Sequence, residues 1–323
     1  MTVTGNSQPT ANVEILEVGP RDGLQNEKII FSTADKLHMI NGAIDAGIRR
    51  LEVASFVHPK RVPQMADAED VIAGLSDRKD VTYIGLILNK RGLLRAFGTR
   101  EGNKRGVDEV GCVAIASDTF ADKNQGQTSQ ESVEVTKDMI RMAKAEGMSA
   151  QATISASFGC PFEGRVDQDR VVAMAESIAE AQPREIAIAD TIGVGSPQRV
   201  TELVRKIKER LPGMPLRAHF HNTRNTGLAN AWAAYLAGVT TLDASVAGLG
   251  GCPFAPKATG NIGTEDLLYL LHESGVETGV DLDEMIGLAN WAESILGRTP
   301  PAMVSQAGGF PNPESATQND ASN

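Results

Sequence analysis

The sequence has few cysteines, no paired cysteine motif and no long apolar run. Its three cysteines, Cys112, Cys160 and Cys252, are widely spaced and form no CxxC pair. This argues against a disulfide framework and a cysteine-based zinc site, and it fits a reducing compartment. No apolar run approaches membrane-spanning length, and the polar start MTVTGNSQPTAN has no signal-peptide core. We therefore expect a cytoplasmic protein with no membrane partner.

Positive charge is also scarce. Lys and Arg number 31 against 41 Asp and Glu, so the formal net charge is −10. Non-specific nucleic-acid binding depends on Lys and Arg that neutralise phosphates, so a nucleic-acid partner is not expected. The 323 residues are 41% hydrophobic, which is enough for a sizeable core in one large domain or two ordinary ones.

Short β-branched apolar runs alternate with amphipathic segments along the chain. Eight runs predict strands: 13–18, 50–56, 81–88, 109–117, 150–157, 185–190, 216–221 and 241–248. Strand–helix alternation predicts parallel strands covered by helices, and eight units favour an α/β fold of the (β/α)8 TIM-barrel type with additional C-terminal helices. An open doubly wound sheet is the alternative, but GPRDGLQNE follows the first strand where that fold usually has GxGxxG.

Three regions follow from this pattern. Residues 1–12 are expected to be a flexible N-terminus, and residues 13–298 a single catalytic barrel domain. Residues 299–323 are rich in Pro, Ser, Asn and Gly and are predicted to be a disordered tail.

Polar residues accumulate where the predicted strands end. In a barrel of this type all eight carboxyl ends open onto one face, which carries the active site. In chain order the residues at these ends are Arg21, Asp22, Glu52, Asn89, Ser117, Cys160, Asp190, His219, His221, Cys252 and Asn261. Polar groups also fill ordinary loops, so the accumulation on one face carries more weight than any single residue.

Two of the five histidines lie in the segment HFH, as His219 and His221. Residues i and i+2 of a strand point to the same face, so the two imidazoles are expected to project together. A buried, hydrogen-bonded pair is one interpretation, and a metal site is the other. Asp22 would close such a site, because the first strand neighbours the last two in a closed barrel. Imidazole, carboxylate and amide oxygen together suit Mg²⁺ or Mn²⁺ better than Zn²⁺.

The segment GLGGCPFAPKATGN, residues 248–261, is predicted to be a loop because it holds four glycines and two prolines. A lone cysteine is usually a small buried hydrophobe, but the glycine-rich setting of Cys252 argues for an accessible thiol. A helix is expected to follow, with Thr264 as its N-cap. Glu52 and Asp190 interrupt apolar strands, so each needs a partner or a metal. Arg21 is a natural partner, and a structural role for either carboxylate stays open.

These residues resemble the family of 3-hydroxy-3-methylglutaryl-CoA lyases, metal-dependent barrels whose first strand ends in a similar Arg-Asp motif. The resemblance extends from about Val13 to about Arg298. The segments that carry it are EVGPRDGLQNE, SFVHPKRVPQMAD, GCPFEG, DTIGVGSP and GLGGCPFAPKATGNIGTEDLLYLL.

The resemblance implies roles for individual residues. Asp22, His219, His221 and Asn261 would ligate the metal, Mg²⁺ or Mn²⁺. The catalytic set would be Arg21, which steadies an enolate, Cys252, which transfers a proton, and Glu52 and Asp190, which complete the polar network. Gln25 is expected near the substrate, and Asn89 and Ser117, at strand ends, are the other predicted substrate-binding residues.

The implied activity is cleavage of 3-hydroxy-3-methylglutaryl-CoA to acetyl-CoA and acetoacetate, a step of leucine degradation and ketone-body formation. One alternative is the same cleavage of a longer-chain or citramalyl-type thioester, and another is a non-catalytic CoA-binding barrel. The partner would be an acyl-CoA, and a homo-oligomer, dimer or tetramer, is expected.

One motif departs from the family pattern. The family commonly has HxHDTYGxxxAN, whereas this chain has HFHNTRNTGLAN. Asn222 thus replaces a carboxylate, and Arg224 and Asn225 replace Tyr-Gly. The stretch RAFGTREGNKRGVDEV is also longer than its usual counterpart. Both changes lie near strand ends, so the preferred acyl substituent could differ.

Overall fold

Eight parallel strands close into a barrel, as the alternating pattern predicts. The structure, a computed structural model, describes residues 12–102, 104–251 and 260–311. The barrel strands are β1 (Glu14–Glu17), β2 (Arg50–Ser55), β3 (Thr82–Ile87), β4 (Glu109–Ile115), β5 (Ser149–Ser155), β8 (Ile186–Asp190), β9 (Leu216–Phe220) and β10 (Thr241–Ala244). Their order around the barrel is β1-β10-β9-β8-β5-β4-β3-β2. A two-residue hairpin, β6 (Gly159–Cys160) with β7 (Gly164–Arg165), follows β5.

Helices surround the barrel between successive strands. They are α1 (Thr33–Asp45), α2 (Ala68–Ala73), α3 (Lys90–Gly98), α4 (Asp118–Gln125), α5 (Ser129–Ala145), α6 (Gln168–Ala179), α7 (Pro197–Arg210), α8 (Gly227–Leu236), α9 (Thr264–Glu273), α10 (Leu282–Leu296) and α11 (Val304–Ala307). Capping boxes at Ser32 and Thr128 start α1 and α5. Among the described residues, no helix is long and apolar enough to span a bilayer.

The apolar core lies between the sheet and the helices. It includes fully buried side chains on the outer face of the barrel, such as Leu51 and Ile186, and helix residues such as Ile140 and Leu203. A separate small cluster of Leu16, Val18 and Ile84 is buried as well. The barrel therefore has one large apolar layer and one much smaller one.

Charged side chains are buried together on the barrel strands. Arg50 pairs with Glu109 and, at 2.8 Å, with Glu185. Arg217 pairs with the same Glu185 at 2.9 Å and with Asp243. All five are at most 5% exposed as side chains. These five residues, which we call the ionic lattice, connect strands that are far apart in sequence.

The segment after residue 298 differs from the disordered tail that its composition predicts. Residues 299–311 are described and include α11. The backbone N–H groups of Met303 and Val304 donate to Asp266, and that of Ala302 donates to the carbonyl of Ala247. Ala302 is 1% exposed. Hydrogen bonds from the backbone to the buried Asp266 carboxylate thus hold this segment in place, although few of its side chains are apolar and buried.

Candidate active site

Arg21 and Asp22 lie on a π-helical turn, Gly19–Gly23, directly after β1. The Val18 carbonyl accepts from the backbone N–H groups of Arg21, Asp22 and Gly23. A Cβ on Gly23 would lie 2.7 Å from Ser245 Oγ, so this turn needs glycine to pack against the end of β10. The segment GPRDG therefore forms a tight helical turn, and this turn places the side chains of Arg21 and Asp22 at the barrel mouth.

The side chains of Asp22, His219 and His221 converge at this mouth. One possible ligand atom from each lies within 4.8 Å of the others. The two imidazole centroids are 5.1 Å apart, which confirms that the i and i+2 positions of β9 face the same way. His221 is buried, and His219 and Asp22 are only partly accessible. Three side chains of metal-ligating type thus share one pocket.

Asn261, just before α9 in the chain, completes this cluster. Its Nδ2 donates to Asp22 Oδ2 and to the Leu249 carbonyl, each at 3.0 Å. An isolated antiparallel bridge also pairs Asn261 with His221. The four ligands that the resemblance implies are therefore neighbours in the structure.

Two buried polar atoms in the cluster have no hydrogen-bond partner among the described residues. They are Nδ1 of His221 and Oδ1 of Asn261. A buried polar atom without a partner is costly, and each of these is a lone-pair donor that a cation would satisfy. The residues present therefore fit a divalent metal with nitrogen and oxygen ligands.

The electrostatics of the cluster favour ligands that are already deprotonated. Burial raises the pKa of Asp22, but the charges of Arg21 and the two histidines outweigh this and lower it to about 2. Burial, with the neighbouring His219 charge, lowers the pKa of His221 to about 3. Asp22 is thus a carboxylate and His221 a neutral imidazole near pH 7, the forms that bind metals.

Arg21 is held by two carboxylates. Its Nε donates to Glu52 Oε2 at 2.6 Å, and its Nη1 donates to Asp22 Oδ1 at 2.6 Å. Burial raises the pKa of Glu52 although Arg21 opposes the effect. The predicted pairing of Glu52 with Arg21 is present, and it fixes the guanidinium beside the metal cluster.

A cavity opens above these residues. Its volume is about 970 Å³, including the open mouth. The charged side chains and their polar neighbours at its base include Arg21, Asp22, Gln25, Asn26, Glu52, Arg217, His219, His221 and Asp243. The larger apolar side chains that line the cavity are Val57, Leu86, Leu88, Val113, Ile115 and Phe120. The latter come from β2–β4 and the segments after them, which are across the barrel from β9 in strand order.

Gln25, which was expected near the substrate, lines the cavity, and its Oε1 has no partner among the described residues. Four other predicted site residues of the described chain do not line it, namely Asn261, which lies behind Asp22, and Asn89, Ser117 and Asp190. Asn89 and Ser117 are the N-caps of α3 and α4, and Ser117 also donates to Cys160 Sγ at 2.9 Å. Asp190 accepts from the backbone N–H groups of Val194 and Gly195. The geometry gives these three positions structural partners and no contact with the cavity.

Cys252 and the rest of residues 252–259 lie outside the described residues. The other two cysteines are buried. Burial raises the pKa of the Cys112 thiol far above its ordinary value, so this cysteine is not a reactive thiol. Thr264, predicted as a helix cap, instead donates to Glu17 Oε2, and Gly263 is the N-cap of α9. That prediction was wrong because a buried carboxylate recruits the hydroxyl.

Sequence reasoning missed Arg217 and Asp243. Both line the cavity, and Asp243 Oδ2 lies 3.0 Å from His219 Nδ1. The period-two rule that placed the histidines together also places Arg217 on their face of β9. Asp243 is a charged residue inside the predicted strand 241–248, which is the same signal that identified Glu52.

The departing motif after β9 packs against neighbouring loops. Asn222 Oδ1 accepts from the Gly227 N–H at the start of α8. Arg224 Nη1 donates to the carbonyls of Ile192 and Gly193. Asn225 has φ of 54°, which asparagine tolerates better than most residues do. The side chains of Asn222 and Arg224 thus brace the loops after β8 and β9, and none of the three residues lines the cavity.

Comparisons with known proteins agree on one family. The profile of the HMGL-like family matches residues 12–291. The hydroxymethylglutaryl-CoA lyase YngG of Bacillus subtilis is 39% identical over 90% of this chain and 95% of its own. The (R)-citramalyl-CoA lyase of Chloroflexus aurantiacus is 39% identical over 92% and 95%. The 3-hydroxy-3-isohexenylglutaryl-CoA/hydroxy-methylglutaryl-CoA lyase of Pseudomonas aeruginosa is 38% identical over 91% and 96%.

A solved structure matches over nearly the whole length. It is an HMG-CoA lyase from Acinetobacter baumannii in complex with coenzyme A and 3-methylmalate. The TM-score is 0.88 at 36% identity, and the match covers 97% of this chain and 98% of that one. The fold is therefore shared over nearly the whole chain.

Proposed function

This chain belongs to the HMGL-like family, and on that premise we propose that it is a metal-dependent lyase that cleaves 3-hydroxy-3-methylglutaryl-CoA to acetyl-CoA and acetoacetate. The observation that carries the proposal is the convergence of Asp22, His219 and His221 beside Arg21 at one cavity, with Asn261 hydrogen-bonded to Asp22 behind them. The relatives at 38–39% identity include lyases of this name.

Asp22, His219, His221 and Asn261 would hold Mg²⁺ or Mn²⁺. When bound, such a cation acidifies a hydroxyl and neutralises a carboxylate. Two cationic and three anionic side chains line this side of the cavity, Arg21 and Arg217 against Asp22, Glu52 and Asp243. Without a cation the balance is negative and repels an anionic substrate. A divalent ion makes the balance positive, which suits a substrate with one free carboxylate.

Arg21 supports the bond-breaking step. When the C2–C3 bond of the substrate breaks, its electron pair passes to the thioester and forms the enolate of acetyl-CoA. The Arg21 guanidinium, fixed by Glu52 and Asp22, places positive charge where that enolate develops. Preorganised charge of this kind is usually the largest single contribution to such a reaction.

Two proton transfers balance the reaction. The 3-hydroxyl must lose its proton as the ketone of acetoacetate forms. Of the two carboxylates beside Arg21, Glu52 is the better acceptor, since burial raises its pKa whereas that of Asp22 is lowered. The enolate carbon then takes a proton, for which we propose the Cys252 thiol. A thiol of ordinary pKa is protonated at neutral pH, as a donor must be.

The experiment is a turnover assay with purified full-length protein, Mg²⁺ or Mn²⁺ and a panel of 3-hydroxyacyl-CoA thioesters. Release of acetyl-CoA with stoichiometric acetoacetate from 3-hydroxy-3-methylglutaryl-CoA is expected. Cys252→Ser should fold and bind Mn²⁺ as the parent does, yet turn over far more slowly. Binding of the thioesters without any cleavage would support the CoA-binding barrel instead.

A second candidate substrate class has a longer 3-substituent. The six larger apolar side chains that line the cavity offer far more surface than one methyl group covers, and three of them, Val57, Leu88 and Val113, are partly exposed. Val113→Phe should fill this region and lower kcat/KM for a long-chain substrate more than for the methyl substrate. Equal effects on both would argue that the substituent points elsewhere. Citramalyl-CoA belongs in the same panel, since one relative is named for it.

A further inference from the structure

His219 and His221 differ in what holds them. Nδ1 of His219 lies 3.0 Å from Asp243 Oδ2, whereas Nδ1 of His221 has no partner among the described residues. Because an ionised carboxylate only accepts hydrogen bonds, Nδ1 of His219 must carry the proton. Its Nε2 is then the nitrogen with a free lone pair. One ligand of the cluster is therefore oriented before any metal arrives.

Asp243 is itself held by Arg217. The Nη1 of Arg217 contacts the same Oδ2 that accepts from His219. The rest of the guanidinium is engaged too, with Nε donating to Glu185 at 2.9 Å and Nη2 donating to Thr153 at 2.9 Å. Arg217 is 4% exposed and Asp243 is 3% exposed. The guanidinium of Arg217 is thus fixed by Thr153 on β5, by Glu185 just before β8 and by Asp243 on β10, so Asp243 has little freedom to turn away.

From this chain of contacts we infer that Asp243, clamped by Arg217, is a positioning residue that sets the ligating nitrogen of His219 and thereby the metal affinity of the site. The inference rests on the metal site of the proposed function. It reaches beyond the four ligands, because neither residue belongs to that set. A carboxylate behind a ligating histidine typically changes metal affinity about 10- to 100-fold.

The chain offers a matched control. Glu109 is a fully buried carboxylate of the same ionic lattice, paired with Arg50 and accepting from Ser149. It has no contact with either histidine among the described hydrogen bonds. Asp243→Asn and Glu109→Gln each replace one buried carboxylate by its amide. Both substitutions disturb the lattice, and only Asp243→Asn alters a contact with His219.

The measurement is Mn²⁺ binding to the full-length protein without substrate, followed by the electron paramagnetic resonance signal of free Mn²⁺. Asp243→Asn should raise the Mn²⁺ Kd by about 10- to 100-fold, while Glu109→Gln should stay within about twofold of the parent. The amide can present its N–H to the ring, so the Nδ1-protonated form of His219 is no longer enforced. Nitrogen-15 spectra of labelled histidines should show a mixture of ring tautomers in Asp243→Asn alone.

Arg217 provides a second arm if Asp243→Asn fails to fold. Arg217→Lys keeps the charge but cannot contact Asp243, Glu185 and Thr153 together, so the Kd should rise by less than in Arg217→Met. An unchanged Kd in Asp243→Asn or, if that variant is unfolded, in Arg217→Lys would overturn the inference. Equal weakening in Glu109→Gln would overturn it as well. If the parent protein itself bound no Mn²⁺, the metal site of the proposed function would fail instead.

Discussion

The inner and outer layers of this barrel are built from opposite chemistry. The helix-facing layer is apolar, with side chains such as Ile140, Leu203 and Ile207 fully buried. The ionic lattice, by contrast, buries two arginines against three carboxylates. Apolar burial stabilises a fold, whereas a buried ion pair often contributes little once desolvation is counted. The difference teaches that the outer layer supplies most of the net stability, whereas the ionic lattice reaches the site through Arg217 and Asp243, which line the cavity.

The largest effect on activity is expected from the two histidines proposed as metal ligands. His219→Ala or His221→Ala should remove most bound Mn²⁺ and lower kcat by roughly 10³-fold or more, since the charge stabilisation at the site is lost. Thermal unfolding of the metal-free protein should change little. Leu203→Ala in the outer layer is the control, with a lowered Tm and normal metal content. Unchanged metal content in both histidine variants would rule out this site.

The next effect concerns the ionic lattice as a structural element. Arg50→Met leaves Glu109 and Glu185 without this partner and should cost about 3–5 kcal/mol in the free energy of unfolding. Adding Glu109→Gln should recover part of that loss, because it removes a stranded charge.

The outer layer should behave differently. Leu203→Ala should cost about 2–5 kcal/mol, and adding Ile207→Ala one turn away should deepen the loss. Urea unfolding of the four variants measures both cases. If adding Glu109→Gln to Arg50→Met lowered the free energy of unfolding further, the ionic lattice would respond as the apolar layer does, and the contrast between the two layers would be lost.

Arg21→Met tests whether a buried arginine paired with carboxylates at the cavity acts in catalysis. Arg21 bonds Glu52 and Asp22 at the cavity. Losing charge that acts on the developing enolate should lower kcat by roughly 10²-fold, with KM less affected. Steady-state kinetics on 3-hydroxy-3-methylglutaryl-CoA separates the two constants. A rise mainly in KM would make Arg21 a substrate-binding residue.

The outer layer was also the more predictable from sequence. Period-two and helical patterns located all eight barrel strands and the shared face of His219 and His221, because apolar burial leaves a periodic signal. The partners of charged side chains leave none. Asp190 was expected at the mouth but accepts from the backbone of Val194 and Gly195. The partners of a charged side chain lie on other strands and loops. Which of them come into contact depends on the closed barrel and leaves no local pattern in the sequence.

Dimer or tetramer formation, a cytoplasmic location and the identity of the cation stay predictions. Arg224, which departs from the usual family motif, shows that the role of a replaced residue is hard to infer from the sequence alone. It was expected to affect the substrate, yet its guanidinium bonds the carbonyls of Ile192 and Gly193. Turnover with the thioester panel will show whether bracing these loops has any influence on the acyl group.

Glu17 supplies the link between the two layers at the end of β1. Its Oε1 accepts from the N–H groups of Gly19 and Val246, and its Oε2 accepts from Thr264 Oγ1. These contacts join the turn that carries Asp22 to the start of α9, close to Asn261. Burial raises the pKa of Glu17 to about 7, although the three donors oppose the effect.

The smallest expected effect is a change in how stability depends on pH. The pKa of Glu17 is higher in the folded protein than in the unfolded chain, so the folded state binds the extra proton. Its contribution is complete below pH 4.5 and is lost as pH rises through about 7. The loss amounts to at most about 3 kcal/mol. Glu17→Gln removes this titration and keeps an oxygen for Gly19 and Val246. Urea unfolding at pH 5 and pH 8 should therefore show a smaller decline in the variant than in the parent. Parallel declines would mean that the three donors keep Glu17 ionised throughout.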